Sequence, residues 1–400
     1  MILYLFYFFA LIQLFFSWRS LESGFAYLRF FRSELAKDIP PSELSASVII
    51  PCRGTDKGLR TNLEAVMLQD HTRCEVIFVV DSETDPACGP IREVMEDHPA
   101  VASKLVVAGR SEITGQKVHN LIEASKAVSD SADAIVFVDS DARPSEGWLG
   151  TLLSGLETDG NGCSSGYRWF IPERGSLASH IRSAWNASIA SALGQDEKRN
   201  FSWGGSTAIL RKAFEDLDVA RNWEGKLADD FALTKMVRDN GGAVRFIPAC
   251  LTASVEDCTI RELFEFTTRQ MKITRVYRPD LWLYSLVGST LFTGTFVSAL
   301  LLLFFSSGLH FVLVAIFLIL VGAAGTAKAF IRLRAVSLAL PRYTEQIRKQ
   351  YFWHSVLWIV TPMLFLWNDL AALVSRRIVW RGIEYELLSS DRTRVISKRS

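Results

Sequence analysis

The stretch "IVFVDSDARP", residues 135–144, is the strongest local indication of the fold. A run of β-branched and aromatic residues ends in Asp139 and Asp141, with one serine between them. Such a short apolar run predicts a strand that is buried on both faces of a parallel sheet. Side chains two residues apart in extended backbone point to the same side, so both carboxylates can face one divalent cation. The alternative is an acidic turn in which the two aspartates only cap residues 142–144.

Two earlier stretches, "ASVIIP" (46–51) and "CEVIFVVDS" (74–82), have the same pattern. Helical patterns alternate with the strands, at 57–69, 88–98 and 115–130. The alternation predicts an α/β fold, a doubly wound sheet with helices on both faces. Ligands bind beyond the carboxyl ends of the strands in such sheets, and Asp81 ends the second strand there. A third carboxylate at this edge favours a metal site over an acidic turn.

Composition excludes several function classes. The net charge of +1 over 400 residues predicts no nucleic-acid partner. The six cysteines have no zinc-binding spacing. Neither GxGxxG nor GxxxxGK[ST] is present, which disfavours a dinucleotide-binding dehydrogenase and a P-loop ATPase.

Apolar residues concentrate at the two ends of the chain. Residues 1–18 lack a basic leader and a cleavage site, so they predict an uncleaved membrane anchor rather than a signal peptide. The following segment, 19–44, is predicted to be a juxtamembrane linker, and its arginines predict that the soluble domain, 45–258, faces the cytoplasm. Residues 281–327 predict a transmembrane hairpin.

The segments after the hairpin are harder to assign. Residues 328–351 predict a basic cytoplasmic loop, and 376–400 predict a basic cytoplasmic tail. Between them, 352–375 is apolar but is interrupted by polar residues and by Pro362. A complete span would place the basic tail outside, so we expect either a span or, preferably, a re-entrant helical pair hinged near Pro362.

Two constellations follow the predicted metal site. In "FSWGGSTAILRK" (201–212), Gly204 and Gly205 either allow a substrate to approach the backbone or form a bulge. In "ADDFALTKMVRDNG" (228–241), Asp229 and Asp230 begin a predicted helix, where they either complement the helix dipole or act on a substrate.

Residues 259–280 predict a basic amphipathic helix at the bilayer surface. Its cations, Arg269, Lys272 and Arg275 among them, fall on one face. They can contact anionic lipid, or some of them can neutralise a leaving diphosphate.

The order of these motifs resembles the family 2 glycosyltransferases, most closely the ceramide glucosyltransferase-like branch, family 21. The resemblance covers about residues 45–280 and implies a GT-A fold with a mixed sheet. It implies that Asp81 contacts the nucleotide base and that Asp139 and Asp141 bind the diphosphate and Mg²⁺ or Mn²⁺. It also implies that Asp230 is the catalytic base, preceded by Asp229.

Further matches extend the resemblance. "GQKVHNL" (115–121) is similar to a family stretch, which implicates Lys117 and Asn120. "WRGIEYEL" (380–387) is similar to a tail motif of bacterial lipid glycosyltransferases. The family's [QR]xxRW motif is altered to Arg269-Gln270-Met271-Lys272-Ile273, which keeps the charge but loses the fork geometry of the second arginine.

The predicted function is therefore a membrane-bound, inverting, metal-dependent transfer of a hexose, expected to be glucose, from a UDP-sugar to the hydroxyl of a membrane lipid such as ceramide or diacylglycerol. Alternatives are a hopanoid, carotenoid or polyprenyl phosphate acceptor, a processive polysaccharide synthase, or a non-catalytic membrane scaffold. The predicted catalytic residues are Asp229, Asp230, Arg269, Lys272 and Arg275. The predicted nucleotide-sugar-binding residues are Arg53, Asp81, Lys117, Asn120, Asp139, Gly204 and Gly205.

Overall fold

The computed structural model describes residues 2–40, 42–156 and 162–398. They divide into two compact units. The helical unit comprises 1–33, 174–191 and 257–375, and the sheet unit comprises 34–173, 192–256 and 376–400.

Strands and helices alternate along the first part of the chain, and long helices follow. The strands are β1 (Ala46–Pro51), β2 (Cys74–Val80), β3 (Ala102–Val107), β4 (Ala134–Phe137), β5 (Cys163–Ser165), β6 (Arg168–Ile171), β7 (Thr207–Leu210), β8 (Val244–Phe246), β9 (Thr252–Val255), β10 (Arg377–Trp380), β11 (Ile383–Ser389) and β12 (Arg392–Lys398). The helices are α1 (Ile2–Leu35), α2 (Leu59–Met67), α3 (Cys88–Asp97), α4 (Gln116–Ser125), α5 (Trp148–Ser154), α6 (Leu177–Ala190), α7 (Arg211–Asp216), α8 (Val219–Trp223), α9 (Asp229–Asp239), α10 (Ile260–Tyr277), α11 (Pro279–Phe305), α12 (Gly308–Ala339), α13 (Thr344–Leu357) and α14 (Val360–Val374).

In the described part of the sheet unit, seven strands form one mixed sheet in the order β3-β2-β1-β4-β7-β5-β8. The neighbours of β1 on both sides are parallel to it, whereas β7 is antiparallel to β4 and β5. The predicted fold class, a mixed α/β sheet with flanking helices, is confirmed. The three predicted strands are present, and β4 ends two residues before Asp139.

Both faces of this sheet are covered. Ile49 and Phe137 pack with Leu121, Trp223 and Val237 from α4, α8 and α9 on one face. Val48 and Ile50 alternate with Ile49, so they point to the opposite face, and all three are fully buried. Because the apolar runs are covered on both faces, the strand ends that carry aspartates remain at one edge.

The C-terminal segment is not an extended tail. β10, β11 and β12 form a three-stranded antiparallel sheet that belongs to the sheet unit. Its strands alternate in burial, and Ile383, Tyr385 and Leu387 are buried. One apolar face is therefore packed, which requires a partner surface and explains why the segment folds.

The helical unit differs from the predicted segmentation in two places. α1 continues through most of the predicted linker, 19–44, and α12 and α13 occupy most of the predicted basic loop, 328–351. Lysine and arginine are good helix formers, so a basic segment without proline extends a preceding helix. The extension of α12 ends just before Pro341, as expected for a residue that cannot continue the hydrogen-bond ladder.

By length and composition, three described helices are long and apolar enough to cross a membrane, namely Leu3–Leu35, Pro279–Phe305 and Gly308–Ala339. The pair Pro341–Leu357 and Val360–Val374 is bent by 71° and makes a fourth candidate if it is one broken span. The bend lies just before Pro362, in the first turn of α14, where proline is tolerated.

Hydrogen bonds from neighbouring helices reach one oxygen of each polar residue that interrupts this last segment. Asn368 Oδ1 accepts from Thr267 at 3.2 Å and from Thr268 at 3.0 Å. Asp369 Oδ2 accepts from Ser285 at 2.8 Å. These bonds fasten α14 to α10 and α11 and offset part of the cost of burying two polar side chains completely. Among the described residues, Asn368 Nδ2 and Asp369 Oδ1 have no hydrogen-bond partner.

Candidate active site

The two aspartates after β4 converge on one cation. Asp139 Oδ2 accepts from Arg168 Nη2 at 3.1 Å, and Asp141 Oδ2 accepts from Arg168 Nη1 at 3.2 Å. The guanidinium also lies over the ring of Trp203, 4.7 Å from its centroid. The spacing of two residues therefore directs both carboxylates to one point, as extended backbone predicts.

This donor set fits a divalent cation that is shared with a bound substrate. Carboxylate oxygens are the ligands that Mg²⁺ and Mn²⁺ prefer. No group of three or more His, Cys, Asp or Glu side chains that could hold a metal is found in the described residues. The protein would supply two carboxylates, Asp139 and Asp141, and other ligands would come from a diphosphate and from water.

A buried lysine connects the strand end to the start of α9. Lys117 Nζ lies 2.8 Å from Asp139 Oδ1 and 3.3 Å from Asp229 Oδ1. Burial disfavours the charged amine, but these two carboxylates hold the pKa of Lys117 above its ordinary value. The lysine is therefore a cation at neutral pH and neutralises part of both carboxylate pairs.

The carboxylates of the site have different acidities. Burial would raise the pKa of Asp139, but Lys117 and Arg168 outweigh it and the pKa is lowered. Burial raises the pKa of Asp229, with Lys117 opposing. Burial and the neighbouring Asp229 raise the pKa of Asp230 to about 7. Asp139 is therefore ionised at neutral pH, whereas Asp230 can exchange a proton there.

The first turn of α9 orients the Asp229–Asp230 pair. The backbone N–H of Phe231 donates to Asp230 Oδ1 at 2.7 Å. Trp223 Nε1 donates to the carbonyl oxygen of Asp229 at 3.2 Å. Asp229 is only 5% exposed, whereas Asp230 is half-buried and accessible. The pair thus divides into an inner carboxylate that holds Lys117 and an outer one that can meet a substrate.

The two consecutive glycines lie against the site's own side chains. A Cβ at Gly204 would overlap Asp229 Oδ2 and lie 2.8 Å from Lys117 Nζ. A Cβ at Gly205 would overlap the ring of Trp203. The groups that lie close to the two glycines are therefore side chains of the protein itself, Asp229, Lys117 and Trp203. Close approach of a substrate to this backbone stays a prediction.

Two more predicted residues lie at the neighbouring strand ends. Arg53, after β1, forms an ion pair with the buried Asp81, after β2. Burial raises the pKa of Asp81, and Arg53 opposes this rise. Asn120, one turn after Lys117, accepts from Gln116 Nε2 at 2.8 Å.

The predicted cations of the amphipathic helix belong to the helical unit. Arg275 Nη1 donates to the carbonyl oxygen of Leu373 at 3.0 Å, at the C-terminal end of α14. Arg269 lies over the ring of Phe266, 5.6 Å from its centroid, and burial lowers the pKa of the half-buried Lys272. Arg275 thus satisfies orphan carbonyls of a helix end, a contact that the sequence pattern did not predict.

Comparison with known proteins now establishes the family. The family model described as glycosyl transferase family 21 matches residues 5–393. The chain belongs to glycosyl transferase family 21. The predicted resemblance is thereby confirmed, and the protein is a glycosyltransferase with helices that could span a membrane.

Individual relatives of this family 21 glycosyltransferase are more distant. Ceramide glucosyltransferase 1 of Caenorhabditis elegans is 33% identical over 99 residues, which are 23% of this chain and 21% of that protein. The match therefore spans about a fifth of the relative's length.

Two solved structures are similar to the chain. The mannosyltransferase PcManGT from Pyrobaculum calidifontis, in complex with GDP-Man and Mn²⁺, has 18% identity and a TM-score of 0.48, covering 92% of this chain and 98% of that one. GalNAc-T7 with UDP, GalNAc and Mn²⁺ has 15% identity and a TM-score of 0.40, covering 54% of this chain and 45% of that one.

Two arginines of the transferase site were not predicted. Arg168 is a lone basic residue among aromatic ones in "GYRWFIP", and no spacing rule marks it. Arg381 lies in the tail motif "WRGIEYEL" and donates to Asp56 Oδ2 at 2.8 Å. Of the two arginines, only Arg381 lies in a motif that the sequence analysis identified. That motif supported a cytoplasmic position of the tail and did not indicate a role for the arginine.

Proposed function

We propose that this family 21 glycosyltransferase moves one hexose, glucose, from a UDP-sugar to the hydroxyl of a membrane lipid such as ceramide or diacylglycerol, with inversion. The proposal depends chiefly on one observation. Lys117 contacts both Asp139 and Asp229, so the predicted donor side and the predicted base side share one buried cation. A donor diphosphate at the first side would bring its sugar towards the second.

The donor would bind at the edge where the strands end. Asp81 would accept from the nucleotide base while Arg53 fixes its orientation. Asp139 and Asp141 would hold a Mg²⁺ or Mn²⁺ ion, which when bound would offset the charge of the diphosphate. Lys117 and Arg168 are further cations at this edge, and they would stabilise the charge that develops as the diphosphate leaves.

Asp230 would act as the base. Its carboxylate would take the proton of the lipid hydroxyl while that oxygen forms a bond to the anomeric carbon. The bond between this carbon and the diphosphate oxygen breaks in the same step, and the electron pair leaves with the UDP. A single displacement from the opposite face inverts the configuration. The backbone N–H of Phe231 keeps Asp230 oriented for this transfer.

The helical unit supports a lipid as the acceptor. Its apolar helices would hold the protein in the bilayer, and the basic residues after α1's apolar part would keep the sheet unit in the cytoplasm, where UDP-sugars are available. The amphipathic α10 would lie at the membrane surface, and a lipid hydroxyl would then be presented at that level.

The test uses purified full-length protein in vesicles that contain ceramide or diacylglycerol. With UDP-glucose and Mn²⁺ we expect a lipid product heavier by one hexose in mass spectrometry, with an inverted anomeric centre in NMR, and no product after chelation. Asp230→Asn is the inactive variant, and Asp239→Asn, exposed at the other end of α9, is its matched control.

Other products would contradict the proposal. A long polymer would indicate a polysaccharide synthase. No transfer from any nucleotide-sugar would indicate a scaffold. A one-hexose product on a hopanoid, carotenoid or polyprenyl phosphate, but on neither lipid tested first, would retain the chemistry and replace the acceptor.

A further inference from the structure

The C-terminal sheet contains a strained turn that the proposed function leaves unused. Trp380 pairs with Ile383, so Arg381-Gly382 forms a two-residue turn between β10 and β11. Both residues have positive φ, 47° at Arg381 and 77° at Gly382, as in a type I′ turn. Asparagine and glycine are favoured at the first position, whereas an arginine there is strained. Such an outlier points to a functional constraint on Arg381.

The side chains of Arg381 and Arg53 each donate to the main-chain carbonyl oxygen of the other residue. Arg53 Nε donates to the carbonyl oxygen of Arg381 at 3.1 Å, and Arg381 Nη1 donates to the carbonyl oxygen of Arg53. Arg381 Nη2 also donates to Asp56 Oδ2 at 2.8 Å. Because Arg53 forms the ion pair with Asp81, the turn fixes the loop after β1 against the end of β2.

The same sheet contacts the helix that carries Lys117. Tyr385 is 2% exposed, and its hydroxyl oxygen accepts from the backbone N–H of Gln116 at 3.2 Å. Gln116 is the first residue of α4, so its N–H has no partner within the helix. The tail therefore caps α4 one residue before the lysine that joins the two carboxylate pairs.

A third contact reaches the loop before the catalytic helix. Thr393 N–H donates to the carbonyl oxygen of Gly225 at 2.8 Å, and Lys226 forms an ion pair with Asp391. This loop leads directly to Asp229 at the start of α9. One small sheet thus fastens the three chain segments that carry predicted site residues.

The charge of Arg381 also faces the strand end. Burial disfavours the charged guanidinium, but nearby carboxylates hold its pKa above the ordinary value. Asp56 raises the pKa of Arg381 most, and Asp141 and Asp139 act in the same direction. Ser140, which lies between the two aspartates, donates its hydroxyl to the same Asp56 Oδ2 at 2.9 Å. Arg381 therefore adds positive charge beside the pair that would bind a diphosphate.

We propose that the C-terminal sheet is part of the donor site and that Arg381 is a positioning residue for the nucleoside diphosphate. It holds the Arg53–Asp81 pair in place and adds a cation next to Asp139 and Asp141. This inference rests on the proposed function, because it requires a sugar donor that is bound through its nucleoside diphosphate.

The test replaces the guanidinium without disturbing the turn. Asparagine is favoured in the type I′ position, so Arg381→Asn should keep the sheet folded. We expect UDP binding to the full-length protein with Mn²⁺, measured by calorimetry, to weaken about tenfold because charge-assisted bonds are lost. The donor KM should rise equally, with kcat unchanged. The melting temperature should also be unchanged, because relief of the strained turn offsets the hydrogen bonds that the variant loses. Arg381→Lys should recover part of the affinity, and Arg394→Gln, at an exposed site on β12, should bind UDP as the wild type does.

Three results would overturn the inference. If wild-type protein binds UDP and transfers hexose but Arg381→Asn binds UDP equally well, the inference fails and the proposed function stands. If Arg394→Gln loses as much affinity, or if the loss follows the melting temperature, the tail acts only through stability. If wild-type protein binds no UDP, the donor of the proposed function is wrong, and the inference fails with it.

Discussion

The two carboxylate pairs of the site contrast in their surroundings. Asp139 and Asp141 follow a strand and face Arg168, with Lys117 as a second cation on Asp139. Asp229 and Asp230 begin a helix, and Lys117 is the cation that contacts this pair, through Asp229. The first pair has enough positive charge nearby to keep Asp139 ionised despite its burial, whereas the second does not.

This contrast shows how one residue type can serve two roles. Where cations outweigh burial, an aspartate remains a permanent anion that can hold a metal ion. Where burial and a second carboxylate dominate, the pKa of Asp230 rises to about 7, which suits a general base at physiological pH. Variants at and between the two pairs test this division.

Asp230→Asn should abolish most of the activity. The amide keeps the shape of the side chain but cannot take the proton of the acceptor, so we expect kcat to fall about 10³-fold. Single-turnover transfer to vesicle lipid measures this loss, and UDP affinity should not change. Transfer by this variant at the rate of the Asp239→Asn control would remove Asp230 from the mechanism.

Lys117→Met should weaken both pairs at once. Asp139 and Asp229 would lose their shared cation, and the pKa of Asp230, which Lys117 lowers, would rise further. We expect kcat/KM to fall about 100-fold at pH 7, and the pH–rate profile to move to higher pH. Lys126→Met, at an exposed lysine just after α4, is the matched control. An unshifted profile would show that the lysine does not couple the two pairs.

Gly204→Ala should disturb the contact between the pairs. The added methyl group would overlap Asp229 and crowd Lys117, so either these side chains or the loop must shift. We expect kcat/KM to fall at least about tenfold, because a small displacement of catalytic groups is costly. Gly89→Ala, where a methyl group meets no atom within 4 Å, should have full activity. Equal activity of the two variants would show that close packing at Gly204 does not hold Asp229 and Lys117 in their catalytic positions.

The smallest effect concerns stability. Because the pKa of Asp230 is raised in the folded state, the folded protein binds a proton that the unfolded chain has released, and stability falls as pH rises from about 4 through 7. Asparagine does not titrate, so Asp230→Asn should not lose stability in this pH range through residue 230. Its melting temperature should exceed that of the wild type by about 2–4 °C at pH 8 and by less at pH 5. A difference that does not depend on pH would contradict the assigned titration.

Local patterns predicted the elements of the site well. The run before Asp139 is the buried strand β4, and Asp229 begins α9 as the sequence indicates. Both follow from short-range rules, namely apolar runs for buried strands and acidic residues at helix starts. α1 and α12 are longer than predicted, because a loss of apolar character does not by itself end a helix.

The contacts that set the chemistry were not predictable in the same way. Arg168 is 27 residues from Asp141 in the chain, and Arg381 is 325 residues from Asp56. No periodicity links residues at such distances, and only the fold brings them together.

The mixed α/β architecture, the membrane helices and the positions of the acidic residues can therefore be read from the sequence, because they depend on local propensity and hydrophobic pattern. Which cation each carboxylate meets is a property of the packed chain alone. The same holds for the C-terminal segment, which forms a sheet beside the strand ends. Acidity depends on burial and on charges a few ångströms away in space, and neither quantity is encoded by spacing along the chain.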